Sequence, residues 1–211
     1  MSLGGKAETV LTRDPGRRLS QVLRDLQAGD SDRISVDDIV GALRDRSFAP
    51  LMIIFAIPNV LMFVPGASFF TGLPLIFVAL QLVLGRTDVW LPRFVAEQSV
   101  ERASFKKIAS KSIPYLERIE RLAKPRWWPA SYPFADRMIG AATLILATFL
   151  FLPIPFSNGL PAIAIIMLAL GLSERDGYWL LGGIVLTVAS TMLVAGMVTA
   201  LALTVFELML R

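Results

Sequence analysis

The chain of 211 residues contains neither cysteine nor histidine. Without cysteine it forms no disulfide, thiolate nucleophile or iron–sulfur centre. Without histidine it lacks the usual general base at neutral pH and the commonest metal ligand. The sequence also has no Walker A loop, no GxGxxG loop and no GxSxG motif. We therefore expect no metal site, no cofactor and no catalytic residues, and we predict that the protein is not an enzyme.

Charge is also missing over long stretches. No charged residue occurs in 47–85, 138–173 or 177–206, and 55% of the whole chain is hydrophobic. A helix crosses the hydrocarbon core of a bilayer with about 20 apolar residues, whereas the buried helices of soluble proteins need only about 10–14. The sequence therefore predicts an all-α integral membrane protein, and a soluble protein with deeply buried helices is the less favoured alternative.

The polar segments predict the orientation in the membrane. Residues 86–137 carry more Lys and Arg than Asp and Glu, and cytoplasmic loops collect Lys and Arg. The first 32 residues are polar, without the apolar core of a signal peptide. We expect the polar segments 1–46 and 86–137, and with them the N-terminus, to lie in the cytoplasm. We expect the basic residues of 93–126 to bind anionic lipid headgroups. No nucleic-acid-binding motif accompanies the charge, so we expect no nucleic acid partner.

Two parts of the sequence are similar in residue type and order. The first set is Gly72-Leu73-Pro74, Gly85, Asp88 and Trp90-Leu91, and the second is Gly159-Leu160-Pro161, Gly171, Asp176 and Trp179-Leu180. Upstream, Asp37 with Gly41-Ala42 matches Asp136 with Gly140-Ala141. These matches predict an internal duplication: a disordered N-terminus (1–16), repeat 1 (17–92), a basic linker (93–132) and repeat 2 (133–211).

Proline and glycine interrupt the first two apolar stretches, of which one lies in each repeat. Because proline breaks the helical hydrogen-bond ladder, we predict two hairpins with arms at 49–63 and 72–85 and at 138–152 and 161–172. Residues 178–206 lack proline and predict a transmembrane helix. The sequence leaves open whether the hairpins are re-entrant or cross the membrane. Parallel and inverted repeats also both stay open, although the basic linker favours parallel ones.

Broken membrane helices often mark a binding site at mid-membrane depth. Helix N-termini predicted near Thr71-Gly72 and Asn158-Gly159 offer free N–H groups to an anion. The candidate binding residues are Asn59, Pro65, Gly66, Ser68, Thr71, Gly72, Pro74, Arg86, Asp88, Pro155, Ser157, Asn158, Gly159, Pro161, Glu174, Arg175 and Asp176. Asp37 and Asp136 are candidates for coupling or for helix capping. The alternative is structural: Pro and Gly shape turns, and Asp88 and Asp176 cap the helices that follow them.

The polar segments carry their own helix signals. Leu19, Val22, Leu23 and Leu26 fall on one face of a helix over 17–28. Ser35 has the properties of an N-cap, with Asp37 and Asp38 in the first turn. Residues 92–111 predict a basic helix, whose Phe94, Val95, Phe105 and Ile108 we expect to face the membrane.

The motifs Ile57-Pro58-Asn59, Val64-Pro65-Gly66, Thr71-Gly72-Leu73-Pro74 and Ser157-Asn158-Gly159-Leu160-Pro161 resemble those of the bacterial ExoD family. The resemblance covers roughly residues 17–206. It implies a protein of the bacterial inner membrane, associated with exopolysaccharide synthesis. The resemblance implies neither a particular reaction nor catalytic residues for this chain.

These patterns favour a transporter-like protein that moves or binds an ion, a lipid or a lipid-linked intermediate. A non-transporting scaffold of the polysaccharide machinery is the alternative, and a lipid-modifying membrane enzyme is the third possibility. A bundle of this size would gain a protected cavity by pairing, so we expect a homodimer.

Overall fold

The computed structural model describes residues 19–29, 31–43, 48–61, 67–86, 88–122, 126–128, 132–151 and 158–210. The helices in these ranges are α1 (Leu19–Ala28), α2 (Val36–Ala42), α3 (Phe48–Leu61), α4 (Ala67–Val83), α5 (Arg93–Ala96), α6 (Arg102–Leu122), α7 (Tyr132–Phe151), α8 (Gly159–Glu174) and α9 (Gly177–Leu210). Two short strands, β1 (Arg33–Ser35) and β2 (Ser99–Glu101), pair antiparallel with Ile34 opposite Val100. The all-α class is confirmed apart from this ribbon, which the sequence did not predict.

The apolar helices α3, α4, α7 and α8 form a bundle. α3 packs against α4 and α8, and α4 packs along α7. Gly72 lies against the backbone of Phe151, and Gly140 lies against the backbone of Leu82 and Val83. These two contacts show that α4 and α7 run antiparallel. The absence of a side chain at both glycines lets the two helix backbones approach closely.

The polar elements α1, β1, α2, α5, β2 and α6 form a second layer, the cap. Arg102, at the start of α6, donates hydrogen bonds to the carbonyls of Leu26 and Ser31 and so joins α6 to the end of α1. Leu19, Val22 and Leu23 of α1 are buried in the core shared with α6. The helical face predicted for α1 is thereby confirmed, and it packs on protein.

The cap lies along the side of α3 and α4. After α4 the chain turns back, so that Gln81 accepts a hydrogen bond from the backbone N–H of Trp90 at 2.7 Å. One helical turn away, the Phe77 and Phe94 rings meet edge to face at 6.0 Å. Protein therefore covers α3 on both sides, with the cap on one and α8 on the other.

α9 is the longest helix and extends past the bundle. Gly171 lies against the backbone of Leu180 and Gly182 lies beside Met167, so α9 runs antiparallel to α8. In this register, residues 193–210 extend about 27 Å beyond the start of α8 at 1.5 Å per residue. Nearly all of these residues are exposed. By length and composition, Phe134–Phe151 and Gly177–Met209 are suited to cross a membrane.

Several local predictions are confirmed. Ser35 caps α2, accepting a hydrogen bond from the N–H of Asp38, whose carboxylate accepts one from the N–H of Ser35. Asp176 precedes α9 and accepts from the N–H of Tyr178 at 3.1 Å, as expected for an N-cap. α8 begins at Gly159, where the helix N-terminus near Asn158-Gly159 was predicted and two residues before the predicted arm of 161–172.

Other local predictions were wrong. α4 begins at Ala67, so Gly72 and Pro74 lie inside it and the free N–H groups predicted at Thr71-Gly72 are not at a helix start. Asp136 lies within α7, and the N-cap position before α5 belongs to Pro92, so neither Asp136 nor Asp88 is a cap. The basic helix predicted over 92–111 is interrupted by β2.

Candidate apolar ligand cavity

A cavity of about 330 Å³ lies between the cap and the hairpin of α3 and α4. The α3 wall consists of Ile54, Phe55, Ile57 and Pro58, and Thr71 contributes from α4. The opposite wall is α6, through Ser104, Phe105, Ile108, Ala109 and Ser112. Its volume is within the range of small-molecule sites, and its wall is apolar except for three hydroxyl groups.

Proline shapes the α3 wall. Pro58 lies inside α3, and it has no N–H to donate to the carbonyl of Ile54. Both residues line the cavity. The break in the helical ladder thus coincides with the side of α3 that faces the cavity.

Asn59 and Thr71 join the two arms of the hairpin beside the cavity. The Asn59 amide donates to Thr71 Oγ1 at 2.7 Å and to the Phe55 carbonyl at 3.2 Å. Both side chains are buried. Thr71 also lines the cavity, so this pair both holds α3 to α4 and places a hydroxyl group on the cavity wall.

We expect Thr71→Val to lower the free energy of unfolding by about 1 kcal/mol, since buried interhelical hydrogen bonds in membrane proteins contribute about that much. Thr148→Val is the matched control, because among the described residues the exposed Thr148 bonds only to the carbonyl one turn back in α7. Thermal unfolding in detergent measures both variants. Equal stability of the two would show that the Asn59–Thr71 bond does not stabilise the hairpin.

A second cluster lies at the junction of α8 and α9. The Arg126 guanidinium is 3.8 Å from the buried Asp176 carboxylate. The Arg126 backbone accepts a hydrogen bond from the N–H of Gly177 and donates one to the carbonyl of Arg175. These bonds attach the segment before α7 to the corner where α8 ends. Arg175 adopts a left-handed backbone there and interacts electrostatically with Asp136.

The predicted site residues are therefore divided between places. Asn59 and Thr71 meet at the cavity, whereas Asp176 lies at the corner, with Arg175 and Glu174 preceding it. Arg86 and Asp88 are exposed after α4, Asn158 and Gly159 start α8, and Pro161 is buried in α8. Asp37 is exposed in the first turn of α2. Pro65, Gly66, Pro155, Ser157 and the side chain of Ser68 lie outside the described residues. The assignment of a binding role to these residues stays a prediction.

Sequence reasoning missed the α6 wall. Val95 and Phe105 are buried and Ile108 is half-buried, so the three pack on protein although we expected them to face the membrane. Phe94 is exposed. The amphipathic pattern of α6 signalled a buried face, but it did not indicate what that face would cover.

The chain is similar to known proteins over most of its length. The model of the family described as Exopolysaccharide synthesis, ExoD matches residues 19–196. Protein ExoD of Rhizobium meliloti is 27% identical over 193 residues, which are 89% of this chain and 80% of that protein. An uncharacterized protein of Synechocystis sp. is 28% identical over 164 residues, which are 76% of this chain and 77% of that protein.

No solved structure matches the chain. The family match covers the cap, the bundle and the first part of α9, and therefore includes both walls of the cavity. The resemblance of the chain to the ExoD family is thereby confirmed. This chain belongs to the ExoD family of exopolysaccharide synthesis.

Proposed function

We propose that this protein binds a lipid or lipid-linked intermediate of exopolysaccharide synthesis in the cavity between cap and hairpin, and moves it between that cavity and the bilayer. The cavity is the observation that carries the proposal. Its apolar wall suits a hydrocarbon chain, whereas an ion would require more than three hydroxyl groups in place of its hydration shell.

Exposed apolar surface supports a location in the bacterial inner membrane. On α7, Phe134, Met138 and Ile145 are exposed, and on α9 Val185, Leu201 and Phe206 are exposed. Soluble proteins rarely expose a continuous apolar surface of this extent. Arg126, Arg137 and Arg175 lie at the end of the bundle where α9 starts, and this concentration of arginine favours a cytoplasmic position for that end, because Asp and Glu count for little in the positive-inside rule.

Helix pairing supports the duplication. In a duplication, α3 of repeat 1 corresponds to α7 of repeat 2, and α4 corresponds to α8. The contact of α4 with α7 should then have a counterpart in a contact of α8 with α3, and the structure contains both contacts. A Cβ atom at Gly85 would lie 3.5 Å from the Arg137 guanidinium, and Arg126 pairs with Asp176, so the end of α4, the start of α7 and the end of α8 lie at one end of the bundle. This arrangement favours parallel repeats, related by an axis along the membrane normal.

Filling the cavity tests the proposal. Ala109→Leu adds a branched side chain to the α6 wall, and the matched control Ala195→Leu adds the same side chain on the exposed surface of α9. Protein in lipid nanodiscs is photolabelled with a lipid that carries a diazirine in its acyl chain, and the labelled peptides are identified by mass spectrometry. We expect label on residues 54–58 and 104–112, reduced at least fivefold by Ala109→Leu and unchanged by Ala195→Leu.

Label confined to the outer surfaces of α7 and α9 would contradict binding in the cavity and favour the scaffolding role. A flux assay in liposomes then tests movement, with a fluorescent lipid quenched from outside. We expect Ala109→Leu to slow its exchange between leaflets. The homodimer and the absence of enzymatic activity stay predictions, and chemical cross-linking in the same nanodiscs tests the first of them.

A further inference from the structure

A basic groove borders the cavity on the outer side of the cap. Arg24 and Gln27 of α1 and Lys106, Lys107 and Ser110 of α6 line it. Arg24 forms an ion pair with Glu117. Within the part of the chain that the structure describes, neither Lys106 nor Lys107 has an ion-pair partner, and both side chains are exposed. The groove therefore presents uncompensated positive charge.

Ser104 connects the groove with the cavity. It is the residue of α6 that lines both spaces. On α1, the neighbours Leu23 and Arg24 are divided in the same way, since Leu23 lines the cavity and Arg24 the groove. Where α1 contacts α6, the apolar cavity and the cationic groove are thus separated by the width of one side chain.

We propose that the ligand is a lipid with a phosphate headgroup, whose chain occupies the cavity and whose phosphate binds Lys106 and Lys107 in the groove. This inference rests on the proposed function and adds the chemistry of the headgroup to it. An anionic headgroup gains from two unpaired ammonium groups that a neutral one leaves unused. The Ser104 hydroxyl lies where the polar and apolar parts of such a lipid join.

Two probes that differ only in the headgroup test this inference. The same diazirine-bearing acyl chain is presented as phosphatidic acid or as diacylglycerol, in nanodiscs of phosphatidylcholine, to the full chain. We expect phosphatidic acid to label residues 104–112 at least fivefold more than diacylglycerol does. The excess should decrease at high salt, because the exposed ammonium groups are screened.

The double variant Lys106→Gln, Lys107→Gln should reduce labelling by phosphatidic acid to the level of diacylglycerol and leave diacylglycerol unchanged. Lys111→Gln, which removes a positive charge from α6 outside the groove, is the matched control and should change neither. Equal labelling of the cavity by both probes in the unmodified protein would overturn the headgroup assignment while leaving the proposed function intact. Loss of both probes in the double variant would also overturn it. Absence of cavity label with either probe would instead contradict the proposed function itself.

Discussion

Gly140→Ala is expected to lower the free energy of unfolding by about 2–3 kcal/mol, because overpacking a closely packed helix contact costs about that much. A Cβ atom at this position would lie 2.7 Å from the backbone nitrogen of Val83 and 3.1 Å from the carbonyl carbon of Leu82. Backbone atoms cannot rotate away as the end of a side chain can, so α4 and α7 must move apart. Thermal unfolding of the purified protein in detergent measures the loss.

Gly196→Ala is the matched control for this substitution. Gly196 lies in α9, another apolar helix, and a Cβ atom there would meet nothing within 4 Å. Alanine has the higher helix propensity, so the control should stabilise the protein slightly, by up to about 1 kcal/mol. If Gly140→Ala were as stable as Gly196→Ala, the close approach of α4 to α7 would be wrong.

Arg126→Gln is expected to destabilise the protein by about 2–3 kcal/mol. The substitution removes a guanidinium that lies 3.8 Å from the buried Asp176 carboxylate, and breaking a buried ion pair by removing one partner costs about 3–5 kcal/mol. We expect the lower part of that range or less, because the Arg126 side chain is 47% exposed and its attraction is partly screened by solvent. Chemical unfolding monitored by tryptophan fluorescence would measure it.

A double-mutant cycle separates the loss of the ion pair from loss of structure. Asp176→Asn keeps a side-chain oxygen that can cap α9 through the Tyr178 N–H, but it removes the negative charge. If the ion pair is the cause, adding Arg126→Gln to Asp176→Asn should cost less than 1 kcal/mol more. Additive losses in the double variant would show that Arg126 stabilises the corner through its other contacts.

Predictions from short-range rules were the most accurate. Ser35 and Asp176 each stand directly before a helix. The side-chain oxygen at that position accepts from a free N–H in the first turn, and this contact depends only on neighbouring residues. The long uncharged stretches form helices for a similarly local reason. The backbone hydrogen bonds of a helix form within the segment itself, and apolar side chains are compatible with them. The predicted start at Thr71-Gly72 failed because proline is tolerated within an apolar helix when the neighbouring helix packs around the break.

The candidate site was only partly predictable. The sequence picked out Asn59 and Thr71 as polar residues near breaks, but their hydrogen bond depends on how the hairpin closes. Gly72 was expected to offer a free N–H to a ligand, yet it serves the contact with Phe151. The sequence of α6 does not indicate that Phe105 and Ser112 lie across the cavity from Pro58, because Pro58 is distant in sequence. The position of α6 depends on the β1–β2 ribbon and on the hydrogen bonds of Arg102.

The class of the protein could be predicted from its residues alone: apolar helices, an amphipathic polar layer, membership of the ExoD family, and no cysteine or histidine chemistry. These properties follow from composition, periodicity and motifs, which are local. The packing of the helices, by contrast, places the cap beside α3, leaves a cavity between them, and puts Ser104 between the lysine-lined groove and the apolar cavity. Those features depend on the packing of distant segments, and residue patterns along one helix do not specify which surface will lie opposite it.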